Sequence, residues 1–238
     1  VTKRTGHPPA AGRLMAVLLS VGLVLCAGVP AHARSTGAVS PEIVDSTQRG
    51  GAAVALTFDD GPHPDHTPRL LDVLDGHGVR AVFCVMGDHA LRHPELVREI
   101  VDRGHTLCNH TMSHADVSGW SPERIREELL ATNAAIHAAA PDARVRYFRA
   151  PYGAWGRSPE VAAELGMRPL GWRVDVADWS TPGTDVLVDR LRAAITPTSV
   201  VLLHDGGGDR SQTVAAVDRL VPEMESAGWR FTRPAWGW

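Results

Sequence analysis

Lysine is almost missing from this chain. Of 24 basic residues among 238, Lys3 is the only lysine, and every other one is arginine. A P-loop sets a lysine against nucleotide phosphates, and Schiff-base or pyridoxal chemistry uses a lysine amine, so neither can be built beyond the first few residues. Cysteine is scarce as well: the three are Cys26, Cys84 and Cys108. There is no His-Glu-x-x-His, which removes a zincin-type protease, and no internal repeat or second domain. A content of 44% hydrophobic and 21% charged residues suits one domain with a real core and excludes a disordered or fibrous chain.

Residues 1–33 read as an export signal peptide. Lys3, Arg4 and Arg13 form a positive start, 14–29 is an apolar run, and Pro30 precedes Ala31-His32-Ala33, a small-x-small cleavage pattern. The run is shorter than the ~20 apolar residues a membrane span needs, so cleavage after Ala33 is expected rather than a retained anchor. Residues 34–50 are polar without apolar periodicity and read as a flexible leader, which leaves 51–238 as the domain. Losing the signal leaves 21 arginines against 27 acids and takes the net charge from -3 to -6. No basic face is implied, so nucleic acid is not an expected partner. The expected product is secreted, extracellular or in the cell envelope, without stable membrane insertion, and a monomer. In such a compartment Cys84 and Cys108 form either a disulfide or two buried thiols.

From Ala52 onward short apolar runs alternate with amphipathic stretches. Strands are expected at 53–58, 79–85, 105–109, 145–149, 169–174, 199–203 and 229–232, and helices at 68–77, 94–103, from Ser121-Pro122-Glu123 and from Ser158-Pro159-Glu160. Strand then helix, repeated, means a parallel sheet of about seven strands in a single α/β domain. A barrel and a doubly wound sheet fit this periodicity equally.

The unusual polar residues stand just past the expected strand ends, the edge where parallel α/β folds collect ligands. Asp59-Asp60-Gly61-Pro62 reads as an ordinary tight turn, or as two carboxylates pointing different ways, one to a metal and one to water or substrate. His110 and His114, spaced His-x-x-x-His, would share one side of a helical turn and reach one cation, with an aspartate as oxygen donor. Two histidines and a carboxylate make the composition of a catalytic zinc site. Arg149-Ala150-Pro151-Tyr152-Gly153 fits a simple strand exit, Asp175 to Trp179 a rim of solvated charge, and His204 a satisfied core histidine. The other histidines, His89 among them, fall to surface or loop roles.

Taken in order, the five segments resemble the motifs of the NodB-homology polysaccharide deacetylases, carbohydrate esterase family four, over about 54–231. The segments are Thr57 to Pro62, His110 to His114, Arg149 to Gly153, Asp175 to Trp179 and Leu202 to Asp205. The resemblance implies a distorted (β/α) barrel of about seven parallel strands. It implies that Asp60, His110 and His114 bind a divalent metal, zinc with cobalt as the alternative. Asp59 would be the general base held by Arg149, and His204 the acid tuned by Asp178. The Tyr152 N–H would face the oxyanion, and Pro151, Trp179 and Leu202 would complete the substrate pocket. The implied activity is removal of N-acetyl groups from an acetylated glycan such as chitooligosaccharide or peptidoglycan, releasing acetate. O-deacetylation of acetylxylan, or carbohydrate binding without turnover, are the competing readings.

Overall fold

The computed structural model describes residues 39–236, with 1–3 and 5–6 at the amino end. Arg4, Arg13, the apolar run 14–29 and the cleavage pattern at 31–33 lie outside the described residues, as do 34–38 of the expected leader.

The first strand, β1 (Ala53–Asp59), is buried at every position, the signature of a parallel strand covered on both faces. Its side chains alternate. Val54, Leu56 and Phe58 pack outward into the helix-facing core, whereas Ala55 joins a second cluster with Val82, Tyr147 and Val200. Thr57 and Asp59 share the parity of Ala55, so the same face that holds this inner cluster carries the carboxylate of Asp59. The remaining strands are β2 (Val82–Val85), β3 (Thr106–Asn109), β4 (Val145–Phe148), β5 (Arg168–Pro169), β6 (Val174–Asp175), β7 (Val200–His204) and β8 (Arg230–Phe231). All ladders are parallel, in the order β5-β4-β3-β2-β1-β7-β6, with β8 added beside β1.

Parallel neighbours need crossover connections, and helices supply them. They are α1 (Thr67–Gly76), α2 (Gly87–Arg92), α3 (Pro94–Asp102), α4 (Pro122–Ala139), α5 (Ser158–Glu164), α6 (Thr184–Ala194) and α7 (Ser211–Ser226). Proline sits in the first turn of α1, α3, α4 and α5, where its fixed φ suits the helix and its missing N–H costs nothing. Ser121 caps α4, its hydroxyl accepting from Arg124 N. Ser158 does not cap α5: it lies inside the helix and donates to Trp155 O at 2.6 Å.

The structure differs from the sequence reading in two further places. The strand expected at 169–174 is two short strands, β5 and β6, which stand at opposite ends of the strand order. The stretch between them reaches roughly 17 Å at full extension, so the sheet curls until its two edges nearly meet, and a distorted barrel results. The expected flexible leader is tied down over 44–47. Val44 bridges Leu170, Ser46 bridges Ser199 and Thr47 bridges Pro234, because backbone groups of 169–171, 198–200 and 233–235 pair with those of this segment. Cys84 and Cys108, register partners on β2 and β3 with Cα atoms 4.2 Å apart, are disulfide-bonded. Among the described residues no helix is long and apolar enough to cross a membrane.

Candidate active site

The ends of β1, β3, β4 and β7 open on a cavity of about 520 Å³, within the size range of small-ligand sites. Asp59, Asp60, His110, His114, Tyr152, Trp179, Leu202 and His204 line it, together with Ala150, Trp172, Asp175, Gly207 and Arg210. Pro151, expected among the lining residues, is buried and lines no part of it; Ala150 takes that place.

Asp59 ends β1 and is buried. Its Oδ1 accepts from Arg149 Nη1 at 2.7 Å. Arg149, fully buried, is held on every side: Nη1 also donates to Thr57 Oγ1, Nε to Leu170 O and Nη2 to Gly171 O, each at 2.9–3.0 Å. Both carbonyls belong to the stretch joining β5 to β6, so closure of the barrel builds the guanidinium cradle. A buried charge fixed by this many acceptors cannot follow a moving partner, and Asp59 is left one free oxygen, Oδ2.

Asp60 turns away from its neighbour because its backbone is left-handed, at φ 70°. The turn that follows depends on Gly61, where a Cβ would lie 2.3 Å from the buried Asp205 carboxylate. Asp60 Oδ1 stands 3.4 Å from His110 Nε2 and 3.3 Å from His114 Nε2. The two histidines follow β3 in a turn rather than the expected helical turn. Thr111 and His114 have φ 63° and 61°, and Asn109 Oδ1 accepts from Thr111 N at 3.0 Å. An Asx-type turn outcompetes the helix here, because asparagine offers the backbone a local acceptor.

His110 Nδ1 donates to Arg149 O at 2.8 Å, which leaves Nε2 as the nitrogen facing the carboxylates. Ligand atoms of Asp60, His110 and His114 therefore lie within 4.8 Å of one another, while Asp60 Oδ1 is buried without a hydrogen-bond partner. This is a place for positive charge. Burial pushes the His110 imidazole down, but the Asp59 and Asp60 carboxylates outweigh that and hold it above its ordinary value. Burial likewise pushes Asp60 up, and the imidazoles of His110, His204 and His114 reverse it, holding the carboxyl below the usual range. Two imidazole nitrogens gathered around an orphaned, buried carboxylate oxygen fit a divalent cation.

His204 ends β7 in register with Asp59, on the other side of β1 from the β2–β3 edge that carries His110. Asp178 is buried and accepts three bonds: from His204 Nδ1 at 2.7 Å, His204 N at 2.9 Å and Thr213 Oγ1 at 2.8 Å. Burial lowers His204, and the Asp178 hydrogen bond and charge more than offset it, so the imidazole sits above its ordinary value. Tyr152, also left-handed at φ 60°, sets its ring edge-on to His114 at 4.5 Å. Tyr152 and Trp179 are exposed at the cavity mouth.

Two contributors escaped the sequence reading, and a third was seen without its burial. Arg210 is buried in the loop before α7 and donates to Gly206 O at 2.7 Å, and nothing in its local sequence marks it. Thr213 was hidden in an ordinary helix pattern. Asp205, beside a candidate histidine, was visible, but its burial was not; burial, opposed by the Thr67 hydroxyl and aided by the Asp60 and Asp59 charges, pushes it up to about 7.

The polysaccharide deacetylase family profile matches residues 46–170. A chitooligosaccharide deacetylase of Sinorhizobium fredii is 43% identical over 191 residues, 76% of this chain and 89% of the relative. A peptidoglycan-N-acetylglucosamine deacetylase of Bacillus cereus is 35% identical over 199 residues, 82% of this chain and 91% of the relative. Among solved structures, a peptidoglycan N-acetylglucosamine deacetylase superposes with a TM-score of 0.75 at 32% identity, covering 80% of this chain and 89% of the other.

Proposed function

The chain belongs to the polysaccharide deacetylase family, and from that premise we propose that it removes N-acetyl groups from N-acetylglucosamine units of a chitooligosaccharide or peptidoglycan glycan. One observation carries the reading: two separately braced groups, Asp59 on Arg149 and His204 on Asp178, line the same cavity as the Asp60, His110 and His114 cluster.

Asp60, His110 and His114 would hold a divalent metal, zinc first and cobalt as the alternative. When bound, that ion supplies Lewis acidity toward water and toward the acetamide carbonyl. Asp59 is the general base. Its Oδ1 is committed to Arg149, so Oδ2 takes the proton of the attacking water. His204 is the general acid. Its Nδ1 is committed to Asp178, so Nε2 carries the proton toward the leaving nitrogen, and the Asp178 carboxylate, which holds the imidazole above its ordinary value against burial, favours the protonated ring. An amide needs this acid, because an amine leaves protonated or not at all. The Tyr152 N–H serves the developing oxyanion, and Trp179 and Leu202 wall the acetyl methyl and exclude water from it.

Export completes the proposal: cleavage after Ala33 would release a monomer beginning at Arg34, with the catalytic domain over 51–238, to the cell envelope or outside. The apolar run 14–29 and the small-x-small pattern support this, and mass spectrometry of the mature protein checks it. The function is tested by acetate release from chitooligosaccharides, peptidoglycan and acetylxylan. Release from either N-acetylated glycan is expected. Release from acetylxylan alone would replace the amide reading with an ester one, and no release from any would leave a binding protein.

A further inference from the structure

The cation cluster is assembled from two segments that are distant in sequence, the turn at Asp60 and the loop carrying His110 and His114, and both are fastened to 85–89, where β2 passes into α2. Met86 N donates to Gly61 O at 3.0 Å, and His110 N donates to Val85 O at 3.0 Å. Gly87 N donates to Thr111 O at 3.0 Å and Asp88 N to Met112 O at 2.9 Å. These four ties use only backbone. The fifth uses a side chain: His89 Nδ1 lies 2.8 Å from Asp60 O. A carbonyl oxygen can only accept, so Nδ1 carries the proton and donates.

That carbonyl belongs to a residue in the left-handed region, φ 70°, where a residue other than glycine stays only if its surroundings hold it. The loop after β7 packs against the same peptide. A Cβ on Gly206 would lie 2.0 Å from Asp60 O, and one on Gly207 2.7 Å from Asp60 Oδ2. The Asp60 peptide is thus both packed against the glycines of that loop and hydrogen-bonded to His89. Its carboxylate is aimed at His110 and His114 as a consequence.

We propose that His89 is a positioning residue of the cation site, an inference that rests on Asp60, His110 and His114 binding a divalent metal. It touches no substrate and donates no ligand atom. It fixes the peptide from which the oxygen ligand projects, as groups beyond the ligands commonly do for metal sites. Its removal should therefore weaken cation affinity without removing a ligand.

Two variants separate the donor from the bulk of the ring. His89→Asn keeps an N–H donor near the place of Nδ1, and His89→Leu keeps volume without a donor. Zinc affinity is read by competition with a chromophoric chelator, and the ligand geometry by the visible absorption of the cobalt-loaded protein. His89→Leu should bind zinc about tenfold or more weakly and alter the cobalt spectrum, whereas His89→Asn should stay within about threefold of the wild type. Unchanged affinity and spectrum in His89→Leu would overturn the proposal, and so would a folded His89→Asn as weak as the leucine variant. If His89→Leu does not fold, His89→Asn decides alone, since lost affinity with the donor retained contradicts the proposal. A wild type that binds neither zinc nor cobalt would instead bring down the metal reading on which it rests.

Discussion

Asp178→Asn puts the division of labour in the cavity to its sharpest test. The Asp178 carboxylate accepts from His204 Nδ1 on one oxygen, and from His204 N and Thr213 Oγ1 on the other. Asparagine has one acceptor oxygen. Placing it toward His204 N and Thr213 keeps two bonds, against one for the opposite orientation, and turns the amide NH2 toward Nδ1. The ring then must accept at Nδ1 and carry its single neutral proton on Nε2, where it is a far weaker acid than the imidazolium. Losing a charge-assisted bond costs about 1.5–3 kcal/mol of support for the charged ring. At 1.36 kcal/mol per pH unit, the alkaline limb of kcat/KM should move down by about one to two units. With the acid impaired, kcat on an N-acetylated glycan should fall by about 10²–10⁴. The assay is acetate release from a chitooligosaccharide between pH 5 and 9, paired with 4-nitrophenyl acetate, whose leaving group departs without a proton. The loss should be confined to the amide. An unmoved alkaline limb, or equal losses on amide and activated ester, would refute the assignment of His204 as the acid and of Asp178 as its tuner.

Exhaustive chelation should abolish acetate release, and added zinc or cobalt should restore it; full activity after chelation removes the metal from the mechanism. Asp59→Asn should keep its cation while losing turnover about 100-fold or more, and loss of the cation instead would exchange the roles of Asp59 and Asp60. The buried Asp205 carboxyl, pushed up to about 7 from an ordinary 3.8, binds its proton more tightly folded than unfolded. Its contribution to stability is therefore complete below about pH 4 and lost as pH rises through about 7. Asp205→Asn keeps an acceptor for Thr67, so the fall in melting temperature between pH 5 and 8 should be shallower than in the wild type; an equally steep fall would show that another group governs it.

The strands were legible because burial leaves a local mark. Strand β1 is apolar enough over 53–58 to announce a strand, and the two aspartates that end this run mark where it opens on the cavity. The site residues stood out for a related reason: carboxylates, imidazoles and an arginine at the ends of apolar strands are costly unless they have partners. What misled was local spacing taken as local geometry. His-x-x-x-His suggested a helical turn, but Asn109 captured the backbone first. The run 169–174 was apolar enough for a strand, yet it spans the gap between the two sheet edges, and its carbonyls at Leu170 and Gly171 are spent on Arg149.

The amino-acid sequence by itself determined the alternation of strand and helix, the kinds of side chain available for chemistry and the strand ends from which they emerge, since each of these depends on residue type and nearest neighbours. Only the tertiary structure decided which atoms are free. Arg149 is committed to Asp59 and to two carbonyls, His110 presents Nε2 because Arg149 O takes its Nδ1 proton, and His89 holds the Asp60 peptide across 29 positions of chain. Apart from the Arg149–Asp59 pair, those bonds end on backbone carbonyls, which every residue carries alike, so their partners are set by how the barrel closes and are written in no local pattern.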